Sequence, residues 1–65
     1  MSQSDPVEFC GEVKHETDYA YLITDGVNDF WIPKSQIREM KRVGKDGDNY
    51  EITIPEWLAM EKEII

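Results

Sequence analysis

Val7, Phe9, Gly11 and Val13 alternate with Glu8, Cys10, Glu12 and Lys14. A period of two predicts a half-buried strand, and Gly11 inside it predicts a bend or bulge. After the polar connection His15-Glu16-Thr17-Asp18, residues 19–24 are apolar on both faces, with Tyr19, Tyr21 and Ile23 on one and Ala20 and Leu22 on the other. Such a segment is expected at the centre of a sheet. Asp25-Gly26-Val27-Asn28 carries the Asp-Gly hairpin signal. Residues 29–32 form the returning strand, and Pro33 ends it because proline cannot donate to the ladder. Lys34-Ser35-Gln36 predicts one turn of 3₁₀ helix. Residues 37–43 predict a basic strand, and 44–49 a second hairpin turn with two glycines for positive φ. Tyr50, Ile52 and Ile54 alternate with Glu51 and Thr53 as a fifth strand.

Thr53-Ile54-Pro55-Glu56 has the spacing of a capping box, with proline suited to the first helical turn. A C-terminal helix is therefore expected over about residues 55–63. Trp57, Met60 and Ile64 form its core face, extended by Leu58 and Ile65. The sum is a mainly β domain with one C-terminal helix. The expected architecture is a small five-stranded antiparallel barrel, SH3-like or OB-like, over residues 7–65 behind a disordered leader at 1–6.

Length narrows how such a domain is held together. With 65 residues the core is marginal, and small scaffolds usually need a staple. Cys10 is the sole cysteine, so no intrachain disulfide forms, and one Cys with the single His15 cannot build a structural zinc site. The lone thiol fits a reducing compartment, hence an expected cytoplasmic location. Stability must then come from packing or self-association. A homodimer through the C-terminal helix would cover its apolar surplus.

Charge adds a polarity along the chain. The net charge is −7. Residues 1–33 carry Asp5, Glu8, Glu12, Glu16, Asp18, Asp25 and Asp29 against Lys14 alone, whereas 34–45 carry Lys34, Arg38, Lys41, Arg42 and Lys45 against Glu39. The overall charge argues against sequence-independent DNA binding but leaves room for a local basic stripe. Phe30, Trp31, Tyr19 and Tyr21 lie near that stripe in sequence, and aromatic platforms in a basic groove bind single strands. The candidate binding residues are accordingly Trp31, Lys34, Arg38, Lys41 and Arg42. The competing reading packs Trp31 under the helix against Trp57 and leaves the cations to solvate an edge strand.

Catalytic and metal chemistry find little support. Cys10 and His15 could pair, but nothing supplies an oxyanion hole. Asp46-Gly47-Asp48-Asn49 is oxygen-rich, yet with Glu51 it supplies only part of a calcium loop, in the wrong register. No catalytic residue, metal ligand or cofactor is expected.

Trp-Ile-Pro-Lys-Ser-Gln-Ile at 31–37 and Ile-Pro-Glu-Trp-Leu-Ala at 54–59 carry a resemblance. Over about residues 8–65 the chain resembles a loose group of very small phage and mobile-element proteins. They have a β-hairpin ending in the first motif, a variable charged turn and a closing Pro-Glu-Trp-Leu-Ala helix. In that group a glycine often follows the helical lysine near the end, whereas here Glu63 follows Lys62. The resemblance implies phage origin and no particular activity. The expected function is a non-enzymatic interaction module that binds a host or phage protein, in the manner of an acidic inhibitor. An accessory single-stranded nucleic-acid binder is the alternative, and a phage structural or assembly component a weaker one.

Overall fold

The structure is a computed structural model describing residues 5–44 and 47–64. Five strands, β1 (Pro6–Glu16), β2 (Ala20–Thr24), β3 (Asp29–Pro33), β4 (Glu39–Arg42) and β5 (Asn49–Pro55), form one antiparallel sheet in the order β3-β2-β1-β5-β4. A 3₁₀ turn, Lys34–Gln36, joins β3 to β4, and helix α1 (Glu56–Glu61) follows β5 directly. The mainly β class, the five strands, the 3₁₀ turn and the terminal helix are as the sequence predicts.

The sheet is not closed into a barrel. Every pair of strands consecutive in the chain is hydrogen-bonded except β3 and β4, and β1 pairs with β5. The order is thus a closed meander opened at the 3₁₀ turn. The cause lies in that connection. Pro33 ends β3 without a donor, and the turn carries the chain to a β4 of only four residues. Both strands remain edges. The long β1 takes the centre that residues 19–24 were expected to hold, and Tyr19 lies outside β2, 83% exposed. Of the leader expected over 1–6, residues 1–4 lie outside the described residues, whereas Pro6 pairs with Pro55 and the Asp5 carbonyl accepts the Glu56 N–H.

The core lies on one face of the sheet. Ile23, Phe30, Ile32, Ile52, Ile54, Leu58 and Ala59 are buried, with Val7, Phe9, Val13, Tyr21, Ile37, Met40, Tyr50 and Ile64 packed against them. Alternation along β1 follows the prediction, but the irregularity does not sit at Gly11. Register shifts between Val13 and His15, so Lys14 is the bulged residue. Gly11 serves close approach instead. A Cβ there would stand 2.5 Å from Ile23 Cγ2 and 3.1 Å from the Thr24 carbonyl oxygen.

The β2–β3 turn shows why Asp-Gly works. Asp25 Oδ1 accepts the N–H groups of Val27 and Asn28 at 2.8 Å each, and Gly26 takes φ 98°. The bonds from Asn28 and then Val27 hold the Asp25 carboxyl below its usual value. In the second hairpin the Val43 N–H reaches the Asn49 carbonyl, and Gly44 and Gly47 have positive φ; Lys45 and Asp46 lie outside the described residues.

The helix begins and ends differently from expectation. Thr53 is a buried strand residue, not a cap; Pro55 is the N-cap and no side chain caps the helix. Starting at Glu56 turns Leu58 and Ala59 onto the sheet and leaves Trp57 and Met60 40% and 56% exposed. Trp57 and Met60 are therefore not core. At the other end the Glu63 N–H donates to Met60 and the Ile64 N–H to Ala59, around Glu63 at φ 60°. This is a Schellman closure with glutamate in the left-handed position that glycine fills without penalty. Glu63→Gly is expected to raise the unfolding free energy by about 1 kcal/mol, measured by urea denaturation. An unchanged or lowered stability would show that the turn is not left-handed in solution.

Candidate functional site

Cross-strand register decides which charges meet. On the solvent face of β1, β5 and β4, Glu8 stands beside Thr53 and Glu39, and Cys10 beside Glu51 and Lys41. Glu12 lies next along β1, opposite Thr24, which in turn faces Asp29. Four strands thus gather Glu8, Glu12, Glu39, Glu51 and Asp29 onto one face. Two cations sit among them. Lys14 bonds Asp29 at 3.6 Å, and Lys41 bonds Glu39 at 3.2 Å. The Lys41 ammonium is held above the usual lysine value, first by its hydrogen bond to Glu39, then by the charges of Glu39, Glu51 and Glu8. The face remains acidic.

The five residues expected to make an aromatic and basic surface do not come together on one face. Trp31 points to solvent, opposite Leu22, which is opposite His15; its ring meets His15 edge-on at 6.2 Å. It does not pack against the core as Phe30 and Ile32 do. Lys34 turns to the other side of that hairpin. Its ammonium bonds Glu16 and lies 4.9 Å from the centre of the Tyr21 ring, and the Glu16 hydrogen bond raises its pKa. Lys41 belongs to the acidic face. Arg42 shares the core side of β4 with Met40, and its guanidinium donates to the Gly47 carbonyl. Arg38 is exposed just before β4, where its backbone N–H donates to Thr53. Ladder parity, in which neighbours along a strand face opposite ways, splits Lys41 from Arg42.

An open cleft of about 530 Å³ lies beside the β1 bulge, lined by Val13, Tyr21, Met40 and Tyr50 together with the polar Lys14, His15, Glu16 and Asp48. Cys10 lies elsewhere, in a shallow depression with Gly11, Glu12 and Thr24. Nothing in this arrangement orients His15 on the thiol. Among the described residues, no group of three or more His, Cys, Asp or Glu side chains is placed to hold a metal ion, and no helix is long and apolar enough to cross a membrane.

The Lys34–Glu16–Tyr21 cluster and the His15–Trp31 contact escape sequence reasoning because they depend on pairing between strands. The one usable signal was the Trp-Ile-Pro-Lys motif itself. Its members divide between core (Ile32), strand end (Pro33), ion pair (Lys34) and solvent (Trp31). No protein-family model, curated protein or solved structure matches the chain.

Proposed function

We propose that the protein is a non-enzymatic interaction module that docks on a basic surface of a protein partner through the acidic face of β1, β5 and β4. The observation that carries this reading is the assembly of exposed Glu8, Glu12 and Glu39 with half-buried Glu51, from three strands, onto one face of the sheet. Such a surface steers a cationic partner and rejects polyanions. The dispersal of Trp31, Lys34, Arg38, Lys41 and Arg42, with Lys34 and Lys41 already ion-paired, weighs against a continuous nucleic-acid groove. The resemblance to small phage and mobile-element proteins supplies the setting, a host or phage protein met in the host cytoplasm, with inhibition as the expected consequence.

Affinity capture from host lysate tests it, with wild-type protein beside Glu8→Lys/Glu12→Lys and Arg38→Ala/Arg42→Ala variants. The expected result is a partner held by wild type and the arginine variant. The glutamate variant should bind it at least roughly tenfold more weakly, and binding to wild type should fall as salt rises. Retention of the partner by the glutamate variant, or its loss with the arginine variant, would overturn the proposal.

A further inference from the structure

The two sheet edges are not equivalent, and one is complementary to itself. On β3 the bonds from Lys34 N–H to Tyr19 and from Asp25 N–H to Asn28 fix the ladder parity. The main-chain groups of Phe30 and Ile32 face β2, so those of Asp29, Trp31 and Pro33 face outward. Pro33 has no N–H, which blunts that edge. On β4 the bond from Val43 N–H to Asn49 sets the parity. Glu39 and Lys41 bond β5, and the main-chain groups of Met40 and Arg42 point away from the sheet, where unpaired groups invite another strand.

The side chains of β4 favour one such strand. Glu39 and Lys41 lie on the solvent face with opposite charge, and Met40 between them is half-buried on the core face. Charged edge residues ordinarily prevent pairing. Here the sign alternates, so an antiparallel copy related by a two-fold axis at Met40 brings each Glu39 opposite Lys41 of the second copy. Those positions are the non-hydrogen-bonded sites of the new ladder, where side chains approach most closely. The two Met40 residues exchange both main-chain bonds and cover each other. The existing Glu39–Lys41 contact at 3.2 Å would widen into an alternating square of four charges. At the ends Arg38 opposes Arg42 of the other copy, but the Arg38 N–H is held by its own Thr53 carbonyl and the Arg42 guanidinium by its own Gly47 carbonyl, so the new ladder centres on residues 39–41.

We infer that β4 is a homodimerisation edge, joining two five-stranded sheets into one ten-stranded sheet through the Met40–Met40 ladder and reciprocal Glu39–Lys41 pairs. Glu39 belongs both to this edge and to the partner surface proposed above, and the two tests are kept apart because the partner test changes only Glu8 and Glu12 on β1.

Sedimentation equilibrium of the full chain at low ionic strength tests it. Wild type should be a dimer. Glu39→Lys and Lys41→Glu should each raise the dissociation constant at least roughly tenfold, because each turns both attractive cross-strand pairs repulsive. An equimolar mixture of the two should recover the dimer as a heterodimer, visible by native mass spectrometry, and the double swap Glu39→Lys/Lys41→Glu should dimerise like wild type. Both rescues require folded chains, so misfolding cannot imitate the pattern. A monomeric wild type at millimolar concentration, single variants that dimerise normally, or a mixture that stays monomeric would overturn the inference. So would a dimer abolished by Trp57→Ser on the helix and indifferent to β4.

Discussion

Leu58→Ala should lower the unfolding free energy by about 3 kcal/mol, whereas Trp57→Ala, one position earlier, should cost no more than about 1.5 kcal/mol. Leu58 is 2% exposed and belongs to the core cluster with Ile52 and Ile54. Trp57 is 40% exposed. The helix has only six residues and no side-chain N-cap, so propensity contributes little and docking through Leu58 and Ala59 decides whether it forms. Truncating Leu58 leaves a cavity between helix and sheet and removes the anchor for the Schellman turn beyond it. Urea denaturation followed by circular dichroism measures both changes. The reverse ranking, with Trp57 the costlier, would mean that the helix is rotated about its axis from the arrangement described.

Gly11→Ala should destabilise by about 2 kcal/mol, the opposite of the usual gain when alanine replaces glycine inside a strand. The reason is steric. The new methyl would lie 2.5 Å from Ile23 Cγ2, and Ile23 is fully buried. A β-branched side chain in a close-packed core has no free rotamer to yield into, and the Thr24 carbonyl oxygen at 3.1 Å closes the other escape. Gly11 sits on β1, which joins the β2–β3 half of the sheet to the β5–β4 half, so a displacement there is felt by both. Ile23→Ala in the same chain should recover part of the loss, giving a non-additive double-mutant cycle. Full additivity, or a stabilised Gly11→Ala, would contradict the close β1–β2 approach.

These two sites also show what local pattern encodes. Alternation at Val7, Phe9 and Val13 and at Tyr50, Ile52 and Ile54 reads correctly because one face of each strand must be buried. Asp25-Gly26 reads correctly because its turn chemistry is local. Whether the sheet closes depends on how the 3₁₀ turn after Pro33 sets β4 relative to β3, a geometry that alternation and turn signals do not encode. The helix phase failed for a related reason. Thr53 and Glu56 have capping-box spacing, but the Thr53 position is claimed by β5 through its pairs with Glu8 and Glu39, and tertiary pairing outweighs a cap worth about 1 kcal/mol. With the start moved to Glu56, Trp57 faces outward. Of the candidate site, the positions of the charges were legible but not their company. Lys41 and Arg42 are neighbours in sequence on opposite faces of β4, and Lys34 meets Glu16 only because β1, β2 and the 3₁₀ turn converge.

We propose the acidic face, and not the basic segment, as the working surface, and a backbone amide NMR titration tests that choice most directly. Labelled protein is titrated with single-stranded DNA, duplex DNA and RNA, at low and then moderate salt, and separately with the captured partner. The predicted result is no salt-sensitive shift at residues 31–42 with any nucleic acid, and partner-induced shifts at Glu8, Glu12 and Glu51. Salt-sensitive nucleic-acid shifts clustered at Trp31, Lys34, Arg38 and Arg42 would contradict the account and make the protein a nucleic-acid binder.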